Sequence, residues 1–246
     1  WTDALIYLLV VLVTMLACHV CLHQHLIEPW KRVGHSASGM AALTVLLCFV
    51  VIGLLDTVHF RLALDNKNSQ GEQVYSAEVL SVLDAIVTPL RTRVEKTYSA
   101  PLAAHLYVKD TVQLENGQNV RQYTRLKYGG AHLQDPELER VGDIGWRALK
   151  GAGLGLLVWC VVVIGLSVML MRQTNQHFSR VLSNIWRTET EIPWHAILIT
   201  LGIILILLGI TVMLAGHYHV LGTDMIGKDV LYQSLKSIRI ALVIGT

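Results

Sequence analysis

Long apolar runs alternate with polar stretches along the chain. Four of the runs, 4–22, 37–55, 151–171 and 196–216, approach or exceed the roughly 20 residues that a helix needs to cross a bilayer. A fifth begins near Ile238 and ends with the chain at IALVIGT, and the first residue is Trp1 rather than Met, so the chain reads as a piece of a longer one. The first run lacks a basic start and a small-residue cleavage site, which predicts a retained helix rather than a signal peptide. The pattern predicts a mainly α-helical membrane protein with about five transmembrane helices, the last truncated.

The polar region between the second and third runs has its own pattern. In YSAEVLSVLDAIVTPL the residues Val79, Leu80, Val82, Leu83, Ile86 and Val87 fit one broad helical face. Thr88-Pro89 then reads as a cap and first-turn proline of a second helix. HLYVKDTVQL and NVRQYTRLKY, separated by ENGQ, read as a β-hairpin. Asp135-Pro136-Glu137 starts a helix that leads into the third apolar run. The expectation is a small α+β external domain between helices 2 and 3. The chain thus divides into two N-terminal transmembrane helices (1–55), an external, periplasmic domain (56–150), a third helix with its cytoplasmic loop (151–193), and a final section (194–246).

Composition sharpens this picture. The chain is 53% hydrophobic and only 15% charged, with a mean hydropathy of +0.49, outside the range of ordinary soluble domains. A net charge of +2 leaves no polybasic surface for nucleic acid; the lipid bilayer is the implied environment. Lys31 and Arg32 in the first short loop, and Arg172, Arg180 and Arg187 in the third, place those loops in the cytoplasm and the N-terminus and the 56–150 region outside. Glu28-Pro29-Trp30 and Ile192-Pro193-Trp194 each precede a spanning run, with proline suited to a first helical turn and Trp to the headgroup layer.

Candidate chemistry is sparse. CHVCLHQH, Cys18 to His25, has zinc-type ligands but no second half-site, so it reads as two apolar cysteines followed by interfacial histidines. All four cysteines fall in apolar runs, leaving no disulfide framework for the polar region. Asp56, His59 and Arg61 lie at the predicted water boundary, as a proton relay or as a polar anchor. His217 and His219 form an HxH pair with no acidic or Cys partner close by in sequence except Asp224. Neither GxSxG, Walker A nor HExxH occurs, so no catalytic, cofactor or metal residues are assigned and the chain is expected not to be an enzyme.

HVLGTDMIGKDVL, His219 to Leu231, holds more Gly, Thr and Asp than a simple connector requires. Gly222 and Gly227 allow tight backbone paths, Thr223 or Asp224 can cap a turn, and Asp229 can cap a helix starting at Val230. In the helix that follows, Val230, Leu231, Ser234, Leu235 and Ile238 recur at helical spacing while Gln233, Lys236 and Arg239 stay polar, predicting an interfacial helix on the outer membrane surface.

His219, Gly222, Thr223, Asp224, Gly227, Asp229, Val230 and Leu231, with Arg239, Ile240, Leu242, Ile244 and Gly245 further on, form a pattern that resembles permease subunits of the dipeptide, oligopeptide and nickel ABC importers. Lys228 stands where Arg is more usual. The resemblance covers about the last 55 residues, from Ile192 onward, and PWKRVGHSASGMAALTVLLCF resembles the basic lead and first helix of such permeases more weakly. It implies a multi-pass subunit of the bacterial inner membrane that translocates peptides or similar small solutes without covalent chemistry. Its implied partners are a second permease subunit, cytoplasmic ATPase subunits and a periplasmic substrate-binding protein. The loop that docks on the ATPase would lie beyond Thr246. The departure from the family is upstream, where one helix is usual and this chain has more helices and an added domain. The alternative is a membrane sensor or scaffold whose 56–150 domain binds a ligand.

Overall fold

A computed structural model describes residues 2–67, 73–113, 119–174, 177–186 and 192–245. Among them α1 (Thr2–Leu22), α3 (Ala37–Thr57), α6 (Pro136–Thr174) and α8 (Trp194–Ala215) are long and apolar enough to cross a membrane, which marks the chain as a membrane protein. Leu8, Leu12, Leu47, Leu157 and Leu208 are more than half exposed on these helices. Side chains of this kind are stable in lipid and costly in water. The helix begun at Pro136 does run without a break into the third apolar stretch. The fifth apolar run contributes the end of α9 (Val230–Ile244), a 15-residue helix.

The chain forms two compact units, one of 10–48 and 137–216, the other of 1–9, 49–136 and 217–246. In the first, α6 and α8 approach through glycine. A Cβ on Gly151 would meet the Gly209 carbonyl oxygen at 2.5 Å, and one on Gly155 would meet that of Leu205 at 2.5 Å. Small residues let helix backbones come this close in an environment where no hydrophobic drive holds helices together. The Trp159 indole donates to the Leu198 carbonyl at 2.7 Å beside Gly202. The amphipathic α7 (Phe178–Trp186) buries Val181 and Ile185 against Leu198. Pro29 and Trp30 lie within α2 (Gln24–His35), not at its start, whereas Pro193 is the N-cap of α8. The first turn of α3 is instead closed by Ser36, whose Oγ accepts from the Gly39 amide.

The second unit holds the polar region. β1 (His59–Lys67) and β2 (Gln73–Ser81) pair antiparallel, with His59 opposite Ser81 and Phe60 opposite Leu80. The helical face expected over 79–87 is therefore only partly helical. Val79 and Leu80 belong to β2, and α4 begins at Val82 and ends at Ile86. Short runs of Val and Leu satisfy both periods, and pairing with β1 decides for the strand. Ser81 ends β2 by capping α4: its Oγ accepts from the Asp84 amide and its own amide donates to the Asp84 carboxylate. Pro89 lies in the first turn of α5 (Thr88–Thr92). β3 (Asp110–Gln113) and β4 (Asn119–Gln122) form the expected antiparallel pair, shorter than the sequence suggested, with the ENGQ turn outside the described residues. Beyond them, 123–133 folds back on 98–106 through bonds such as Leu106 N–H to Thr124 and Leu126 N–H to Ala104, burying Ala103, Leu106 and Leu126 together.

Candidate functional site

The turn from His219 to Asp229 lies along residues 95–102 of the same unit. The Glu95 amide donates to the Gly227 carbonyl at 2.9 Å, the Thr223 amide to Ser99 at 3.3 Å, and the Leu102 amide to His219 at 2.9 Å. This proximity explains both glycines. Gly222 and Gly227 have φ of +78° and +80°, and a Cβ would lie 2.3 Å from the Ser99 carbonyl oxygen and 1.8 Å from that of Glu95. No side chain fits at either place.

The other motif residues each close part of the turn. The Thr223 hydroxyl donates to the Thr97 carbonyl at 2.8 Å. Asp224 Oδ1 accepts from the Ile226 and Lys228 amides at 3.0 and 2.8 Å, and its Oδ2 accepts from the Gln233 side chain at 2.6 Å. Asp229 is the N-cap of α9, its Oδ1 accepting from the Leu231 amide at 2.8 Å, as the spacing suggested. Gly245 is the C-cap of the same helix.

Asp229 has a second task that spacing did not reveal. Its Oδ2 accepts from His219 Nδ1 at 2.7 Å, while His219 Nε2 lies 3.3 Å from Glu95 Oε1. Glu95 in turn accepts from the amides of Lys127, Tyr128 and Gly129 at 2.8, 2.7 and 3.3 Å. All three side chains are buried. Burial alone would push the His219 imidazole down, but its bonds to Asp229 and Glu95 outweigh that and raise it to about 9. Burial pushes the Glu95 carboxyl up, yet His219 and the three amides hold it down at about 2. At neutral pH this is an imidazolium between two carboxylates. Its proton is committed to holding three chain segments together, so His219 is not available there as a general base.

A second polar network grips α9 further along. Tyr232, Lys236 and Arg239 lie on one helical face. Asp84 accepts from the Tyr232 hydroxyl at 2.7 Å and, on both oxygens, from Lys236 Nζ at 3.0 Å. Burial of Asp84 opposes ionisation, but these bonds and the Ser81 amide hold its carboxyl well below the usual range. Asp56, 1% exposed at the end of α3, accepts from the Ser81 hydroxyl at 2.9 Å and lies 3.3 Å from Arg239 Nε and 3.6 Å from Lys236 Nζ. The polar face of α9 thus meets carboxylates within its own unit. Of the boundary residues Asp56, His59 and Arg61, Asp56 joins this network, and His59 Nδ1 contacts the Thr57 carbonyl at 2.8 Å.

Glu95, Asp84 and Ser81 were not singled out from sequence. Glu95 stands in VEKTYSAP as an ordinary charge, with nothing beside it that marks a partner 124 positions away. Cys18 and Cys21 are exposed on α1, and the His19 and His23 rings lie 4.3 Å apart. Among the described residues no three His, Cys, Asp or Glu side chains are grouped to hold a metal ion.

Compared with known protein families, curated proteins and solved structures, the chain matches none of them.

Proposed function

We propose that the chain is a permease subunit of an ABC importer, translocating peptides or similar small solutes by alternating access while partner ATPases supply the energy. The observation that carries this reading is the run from His219 to Gly245. His219, Gly222, Thr223, Asp224, Gly227 and Asp229 of its turn each have a separate structural task, and together they hold the start of α9. Alternating access requires rigid connectors between moving helices, and a turn locked by an ion triad and two positive-φ glycines is such a connector. In this reading the N-terminus and the 56–150 region are external and loops one and three are cytoplasmic, in a bacterial inner membrane. In the same reading the 56–150 region receives cargo from a periplasmic substrate-binding protein, and the bonds of 95–102 to the turn support that role.

The test is affinity purification of the full-length protein from its native membrane after mild crosslinking. Recovery of a second permease-like subunit and a nucleotide-hydrolysing ATPase, with ATP-dependent uptake of labelled peptides by the reconstituted complex, is expected. Recovery of a kinase or cyclase output protein in place of an ATPase would refute the transport reading and favour a sensor.

A further inference from the structure

We infer that the second unit carries a binding site for a small anion with an apolar body, a carboxylate being the simplest case, in the cleft between β2, α5 and the start of α9. The cleft has a volume of about 470 Å³, within the roughly 300–1,000 Å³ of small-molecule sites. Leu80, Leu90 and Val94 give it apolar walls, and Arg91, Lys228 and Lys236 bring three cations to its lining against the two carboxylates of Glu78 and Asp84.

How those charges are already used decides the sign of the ligand. Asp84 is saturated: it accepts from Lys236 on both oxygens, from Tyr232 and from the Ser81 amide. Glu78 is ion-paired with Arg91. Both carboxylates are thus already offset by cations of the lining, Arg91 and Lys236, and Lys228 leaves the cleft one positive charge in excess. The donors do have capacity. Arg91 engages Glu78 through Nη1, while its Nε is buried without a hydrogen-bond partner among the described residues, a condition that ordinarily costs stability. Lys228 is exposed, and its ammonium, close enough to Asp224 to help lower that carboxyl, lines the cleft. An anion placed by the Arg91 guanidinium and Lys228 would pair with that excess positive charge, and the Leu80, Leu90 and Val94 walls would cover an apolar remainder. The site does not depend on the chain being a permease.

The test uses the full chain in nanodiscs and N-acetyl-leucine as probe, with the uncharged N-acetyl-leucine amide as its match, followed by ligand-observed NMR and calorimetry. Saturable binding of the acid is expected, with the amide at least about tenfold weaker because a charge-assisted contact is lost. Lys228→Ala, at an exposed position, should weaken the acid by about tenfold and leave the amide unchanged, whereas Lys228→Arg should retain binding. Arg91→Gln should weaken the acid similarly. No saturable binding of the acid by the wild-type chain overturns the inference, as does equal binding of acid and amide, or wild-type affinity in Lys228→Ala. Uptake and ATPase partners are not read in this experiment, so its failure would leave the transport reading standing, and failure of the transport reading would leave this site standing.

Discussion

Glu95 and His219 are 124 positions apart in the chain, and their side chains meet at 3.3 Å in a buried site. With Asp229 on the other side of the imidazole, this contact ties the 95–102 segment to the turn that launches α9. The pH dependence of that tie follows from the directions of the two shifts. His219 is raised from 6.5 to about 9, so its contribution is fully present below 6.5 and lost as pH rises through 9. Glu95 is lowered from 4.5 to about 2, so its contribution is present above 4.5 and lost as pH falls through 2. The turn should therefore be held most firmly between 4.5 and 6.5. A shift of this size in a buried histidine corresponds to on the order of 3 kcal/mol. Hydrogen exchange of the 222–229 amides, corrected for intrinsic rates, should show protection at pH 5.5 that falls by pH 9. In His219→Gln the same profile should be flat over that interval; unchanged pH dependence in the variant would assign it to other groups.

Gly222 and Gly227 should not tolerate alanine. Each combines a positive φ with a carbonyl oxygen inside van der Waals contact of any Cβ, and strain at such a backbone position costs about 1–3 kcal/mol before the clash is counted. Gly216 is the control: its φ is −63°, and the nearest atom to a Cβ there is 3.7 Å away. Thermal melts of the purified chain should show Gly227→Ala as the most damaging, Gly222→Ala next and Gly216→Ala close to wild type. Equal melts for Gly216→Ala and Gly227→Ala would contradict the close approach of the turn to Glu95.

These two predictions also separate what the sequence disclosed from what it withheld. The positive-φ glycines and the Asp229 cap were legible because they are local: a turn, a cap and a helix start are written in neighbouring residues. Glu95 was not legible, because nothing near it in sequence indicates that a carboxylate there will meet a histidine far along the chain. Gln233, Lys236 and Arg239 are visible as the polar positions of an interfacial helix, but the carboxylates that meet Lys236 and Arg239, Asp84 and Asp56, come from distant segments. Val79 and Leu80, at the end of β2, fit the helical period that Val82 and Leu83 do follow, and the pairing partner that makes them strand, β1, lies elsewhere. The spanning helices were fully legible, as about 20 apolar residues in a row carry their own evidence of environment.

The orientation inferred from the basic loops predicts a labelling pattern. A single cysteine at Tyr107, which is 72% exposed, in a chain whose own cysteines are replaced, should react with an impermeant maleimide applied to intact cells. One at Arg180 should react only after the membrane is opened. External labelling at Arg180 would invert the orientation and with it the assignment of 56–150 to the outside.

Asp229 distinguishes a cap from a cap that also holds a charge. Were capping its only task, asparagine would serve nearly as well, since loss of the cap itself costs about 0.5–2 kcal/mol and Asn caps as well as Asp. The structure adds His219 Nδ1 at 2.7 Å on the second oxygen. In Asp229→Ala both are lost and the buried imidazolium keeps only Glu95, for which breaking a buried pair suggests about 3–5 kcal/mol. Asp229→Asn retains the acceptor for Leu231 but turns an amide group toward an N–H, so the expected cost is about 1–3 kcal/mol, between wild type and Ala. The intermediate should also be recognisable by its pH profile, since without the Asp229 charge the His219 imidazole titrates lower and protection of the turn is lost at a lower pH. Melts and amide exchange of the two variants at pH 5.5 and 8 decide the matter. Asp229→Asn indistinguishable from wild type at both pH values would reduce Asp229 to a cap, and equal loss in Asn and Ala would make the charge pair dominant over the cap.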